Sequence, residues 1–64
     1  MPRRYSSDEL IRMIKDDGWI LDRINGSHHH FRHPDKKGIV TIPHPMKDMD
    51  PKTANSIRRQ AKIK

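Results

Sequence analysis

Apolar residues recur at two different periods along this chain, and the changes of period mark out its elements. Leu10, Met13 and Ile14, with Ile11 beside them, fall at helical spacing, while Arg12, Lys15 and Asp16 take the wet side. Ser6-Ser7-Asp8-Glu9 supplies the start: Ser6 as N-cap, Glu9 at the third helical position to complete a capping box, and Tyr5 where a hydrophobic staple would meet Leu10. Gly18 predicts a left-handed stop. From Trp19 to Ile24 the pattern turns to partial alternation, Asn25-Gly26 is a hairpin signal, and His28 to His33 reads as the returning strand. The turn-rich run His33-Pro34-Asp35-Lys36-Lys37-Gly38 leads to Ile39-Val40-Thr41-Ile42, a β-branched third strand that Pro43 and Pro45 stop. Asp50-Pro51 puts a capping acid before a proline suited to the first helical position, so a second helix runs toward the end of the chain. Ala54, Ile57 and Ala61 mark its buried side, and Lys52, Arg58, Arg59, Lys62 and Lys64 crowd the rest, either as a solvated face or as phosphate contacts.

The order helix, three strands, helix defines an α+β class: a three-stranded antiparallel sheet with both helices on one face and the other face open. Small RNA-binding domains of the double-stranded-RNA-binding type show this order, α-β-β-β-α, although fold alone does not decide function. The 64 residues make a single domain, 1–64, and with only 31% hydrophobic residues and no cysteine its core is thin and has no disulfide or thiolate metal site behind it. A partner is expected to complete it. Fourteen Lys and Arg against eight Asp and Glu leave a net charge of +6 spread through the chain, which favours a polyanionic partner. No helix joins a broad apolar face to a basic one, so a membrane is not the expected partner. Met1-Pro2-Arg3-Arg4-Tyr5 has no apolar run of the secretory kind, and a cytoplasmic location is expected.

The candidate chemistry is in the histidines. Side chains alternate across a strand, so His28, His30 and Arg32 point one way and His29, Phe31 and His33 the other. Phe31, the only phenylalanine in a poor core, should face the helices, which sends His28 with Arg32 to the open face. Imidazole both takes and gives a proton near neutral pH, and RNA scission needs one proton removed from the 2′-hydroxyl and one delivered to the leaving oxygen. His28, fixed by the preceding turn beside the Ser27 hydroxyl in basic surroundings, is the candidate acid or base. His29, His33 and His44 read first as packing or surface residues. His28 and His30, two apart on one strand face, could hold a zinc ion with His44 as third ligand, but no carboxylate is placed as an obvious fourth ligand or general base.

Three blocks resemble the HicA toxin family, the messenger-RNA-cleaving half of a bacterial toxin-antitoxin pair: Asp17-Gly18-Trp19 with Arg23; Gly26-Ser27-His28-His29-His30-Phe31 with His33-Pro34; and Val40-Thr41-Ile42-Pro43-His44-Pro45. Ser56-Ile57-Arg58-Arg59-Gln60-Ala61 adds a weaker fourth block. Lys62 departs from the pattern, since members commonly have glycine before the last hydrophobic residue, and this leaves open how the final helix ends. The resemblance implies ribonuclease activity against messenger RNA, a type II toxin role and inhibition by a HicB-type antitoxin. It places the essential histidine in the Gly-Ser-His block, at His28 or, one position on, His29, and the strand-facing argument favours His28.

The expected enzyme is a metal-independent endoribonuclease without cofactor, in which His28 is catalytic and Ser27, His30, Arg32, Lys36 and Lys37 contact RNA. Base discrimination should be low, because Tyr5, Trp19 and Phe31 are the only stacking residues and at least two look committed to the core. The antitoxin is expected to cover the basic open face and bury His28. The rival reading is a non-catalytic RNA-binding module of the same fold.

Overall fold

Helix ends and a single bulge account for how this short chain places its side chains. The computed structural model describes residues 4–63, so the Met1–Arg3 segment and Lys64 weighed above lie outside the described residues. Helix α1 (Ser7–Asp17) opens on the expected capping box: Glu9 N–H donates to Ser6 Oγ (3.2 Å) and Ser6 N–H donates to Glu9 Oε1 (3.1 Å). Tyr5 packs against the buried cluster that holds Leu10 and forms an isolated backbone bridge with Met49. Gly18 closes the helix at φ +112, and a Cβ there would come within 2.8 Å of His33 Nε2, so both backbone and neighbour require glycine.

The sheet contains β1 (Ile20–Asn25), β2 (His28–Arg32) and β3 (Val40–Pro43), antiparallel and in the order β1-β2-β3. Asn25 belongs to β1 and the two turn residues are Gly26 and Ser27, with positive φ at Gly26 alone, which is the pattern of a type II′ hairpin turn. Trp19 stands before β1, buried, with its indole N–H donating to Ala61 O (3.2 Å). Ile39 lies outside β3 and is half exposed. The partial alternation of β1 has a specific cause: the register shifts between Leu21 and Arg23, so Leu21 opposes Phe31 while Ile24 opposes His29. This bulge places two apolar residues three apart on one face and leaves Arg23 opposite His30 on the other.

Helix α2 (Pro51–Gln60) packs with α1 against β3, and Leu10, Ile14, Trp19, Phe31, Val40, Ile42, Met49, Ala54, Ile57 and Ala61 form the core between helices and sheet. Both helices therefore cover one face, as the order of elements predicts. Asp50 sits at the N-cap position of α2, but its carboxylate makes no capping hydrogen bond; its backbone carbonyl accepts from Ala54 N–H (3.0 Å) instead. Pro51 at the first helical position has no N–H, so one of the donors that a helix start leaves without an intrahelical partner is absent. At the other end Ile63 N–H donates to Arg58 O and Lys62 N–H to Arg59 O, both at 3.1 Å, with Lys62 at φ +56. This is a Schellman closure in which lysine occupies the left-handed place usually held by glycine. Arg58 lies over the Tyr5 ring at 5.9 Å and is half-buried, while Lys52, Arg59 and Lys62 stay exposed.

Candidate active site

Phe31, 1% exposed and turned into the core, fixes the orientation of β2. Cross-strand pairing then sets the open face: His28 opposes Asn25 and Pro43, His30 opposes Arg23 and Thr41, and Arg32 opposes Ile20. His28 is exposed at the strand's first position, directly after the turn. Two residues on, His30 is half-buried and its Nδ1 lies 2.9 Å from Thr41 Oγ1. Arg32 pairs with Asp22 (3.5 Å), an ion pair open to water on both sides. Arg23 has no ion-pair partner among the described residues. It sits directly across from His30 and diagonally from His28, within reach of a long side chain.

Arg23 is the cation that reading by alternation misses, because an unbroken strand would put it on the face of Leu21. The spacing of three between Leu21 and Ile24 was the available signal. Of the residues chosen from the sequence, Ser27, His28, His30 and Arg32 fall along one strand face and its turn. Lys36 and Lys37 lie on the loop beyond the far end of β2, and their fates differ. Lys37 is exposed. Lys36 Nζ donates to Asp17 Oδ2, to Ala61 O (3.1 Å) and to Lys62 O (3.3 Å), joining the end of α1 to the end of α2. That ammonium holds the Asp17 carboxyl below its ordinary value of 3.8, chiefly by hydrogen bonding.

His29 points to the helix side. Its Nδ1 is shut off from solvent without a hydrogen-bond partner, and its ring meets the His44 ring edge-on at 4.8 Å. Desolvation, then the proximity of His44 and His30, lowers the pKa of His29 below its ordinary 6.5. The His44 ring is itself tied down, with Nδ1 2.6 Å from Ser7 Oγ and Nε2 3.7 Å from Asp8 Oδ1. It is therefore held against α1 and does not join His28 and His30 in a zinc triad. Among the described residues no group of three or more His, Cys, Asp or Glu is arranged to hold a metal ion.

The molecule is thus a small basic α+β domain whose open sheet face offers one exposed imidazole with an unpaired guanidinium nearby. Residues 7–63 match the family described as HicA toxin of bacterial toxin-antitoxin. The chain belongs to the HicA toxin family. No curated protein matches it. The family match covers all the secondary-structure elements described above.

Proposed function

We propose that this chain is the toxin of a type II pair and acts as a metal-independent endoribonuclease on messenger RNA, with His28 as general acid or base. In this reaction the 2′-oxygen loses its proton and attacks phosphorus, the bond to the 5′-oxygen breaks, and that oxygen takes up a proton. The observation that carries the reading is the exposure of the His28 ring at the head of a face that also bears Arg23, His30 and Arg32. Arg23, Arg32, Lys37 and the Ser27 hydroxyl are the groups we assign to the RNA backbone, where guanidinium forks suit phosphate oxygens. Lys36, engaged by Asp17 and two carbonyls, leaves this set.

A HicB-type antitoxin would inhibit by covering this face with acidic or carbonyl groups, and by mass action it would add stability to a domain with so small a core. No helix among the described residues is long and apolar enough to cross a membrane, and messenger RNA as substrate places the toxin in the cytoplasm. The test is cleavage of a defined messenger RNA by purified protein, with chelator in parallel. The His28→Ala variant should lose about 10²- to 10⁴-fold in rate while keeping RNA affinity. A fully active variant refutes the site, chelator sensitivity refutes metal independence, and a wild-type protein that binds RNA without cutting it leaves the non-catalytic module.

A further inference from the structure

The hairpin end that carries His28 has little to hold it. Ile24, Asn25, Gly26 and Ser27 are all exposed, and a Cβ added at Gly26 would meet nothing within 4 Å. Outside the pairing of β1 with β2, the peptide that precedes His28 is held by one bond, His44 N–H to Ser27 O at 2.7 Å. This is one rung beyond the last β2–β3 pair, His28 with Pro43.

His44 is anchored in turn. Ser7, 1% exposed in the first turn of α1, donates its N–H to Met46 O (2.7 Å) and accepts Met46 N–H at Oγ (2.9 Å). The same hydroxyl lies 2.6 Å from His44 Nδ1, which closes a hydrogen bond between the serine and the ring. With the ring proton on Nε2, the side of the Asp8 carboxylate, Nδ1 accepts the hydroxyl proton of Ser7. Residues 44–46 are stapled at both ends to the start of α1, and His29, the neighbour of His28, packs edge-on against the same ring. Serine, imidazole and carboxylate here outline a hydrolytic triad, but Ser7 is sealed from solvent and cannot meet a substrate.

We propose that His44 is a positioning residue for His28, with Ser7 as its anchor: the pair transmits the rigidity of α1 to the turn that aims the reactive imidazole. The proposal rests on the reading of His28 as the acid or base. A displacement of about 1 Å at a reacting group can cost about 10²-fold in rate, so a loosened turn reduces turnover more than binding.

Single-turnover cleavage and binding of a 2′-O-methyl analogue of the same RNA separate the two quantities. His44→Ala should lower kcat by about 10- to 100-fold with KM and analogue affinity changed less than about twofold. His44→Asn, whose side-chain carbonyl stands where Nδ1 stood and accepts the Ser7 hydroxyl, should recover most of the loss, and Ser7→Ala should fall between. If His44→Ala does not fold, Ser7→Ala decides the matter, because it keeps its backbone bond to Met46. Wild-type kcat in the deciding variant, or no rescue by Asn, overturns the positioning role while an inactive His28→Ala leaves the site itself intact. If His28→Ala is also active, the underlying reading fails as well.

Discussion

The two ends of β2 use histidine in opposite ways. At the far end His33 has both ring nitrogens engaged: Nδ1 accepts Asp35 N–H (2.9 Å), which leaves the proton on Nε2 to be donated to Asp17 O (2.9 Å). Its ring also meets Trp19 edge-on at 5.2 Å, and the Lys36 ammonium binds the same corner to the end of α2. At the near end His28 is exposed, and His29 keeps a buried nitrogen with no partner. A ring with two satisfied nitrogens is structural material and has nothing left to exchange. A ring open to solvent costs the fold little and remains available for proton transfer.

The strongest way to break this contrast is at Gly18. Alanine there would have to adopt φ +112 and push its Cβ to within 2.8 Å of His33 Nε2. Gly18→Ala should cost about 2 to 3 kcal/mol in urea-melt stability, while cleavage per folded molecule is unchanged because the damage is at the end remote from His28. Loss of activity in the folded fraction would show that the two ends are coupled and that the division of labour is wrong.

A smaller effect of the opposite sign is expected at Lys62. The left-handed place in the Schellman closure strains any residue with a Cβ, and glycine removes that strain at some cost in chain entropy. Lys62→Gly should therefore stabilise the domain by about 1 kcal/mol, seen as a rise of about 4 to 8 °C in Tm. The Lys36 bond to the residue 62 carbonyl survives the change, since it involves only the backbone. An unchanged or lower Tm would mean that the helix end is not where the strain resides.

Features set by neighbours in sequence were legible before any coordinates. The capping box of α1, the Gly18 stop, the order of elements along the chain and the outward turn of His28 all follow from local propensity and one alternation argument anchored on Phe31. The family resemblance also sits on contiguous blocks. What escaped were contacts between distant residues and departures from regular period. Ser7 meets His44 across 37 positions, and Lys36 meets Ala61 across 25. Neither leaves a periodic trace, and Lys36, set between Asp35 and Lys37 in a turn-rich loop, reads as a free cation. The β1 bulge moved Arg23 to the active face by breaking the alternation on which the reading relied. Asp50 had the right type and place for a cap, yet its carboxylate makes no capping bond.

The gentlest probe of the two ends is acid, because each has a group whose proton affinity folding lowers. His29 binds a proton less readily folded than its ordinary 6.5, so between that value and its lower folded value the unfolded chain holds more protons. Stability from this end is full above about 6.5 and declines as pH falls through that window. Asp17, hydrogen-bonded to Lys36, is lowered from 3.8, so its contribution is full above that value and is lost only as pH falls further. Urea-melt stability followed from pH 8 to pH 3 should therefore fall in two steps, an upper one that begins below about 6.5 at the near end of β2 and a lower one that begins below 3.8 at the far end. His29→Leu should flatten the upper step without lowering stability at pH 7, since it removes a buried nitrogen that has no partner. Lys36→Met should flatten the lower step alone. If His29→Leu leaves the upper step in place, the proton that first unsettles the fold is taken up elsewhere, and the near end is not its acid-sensitive point.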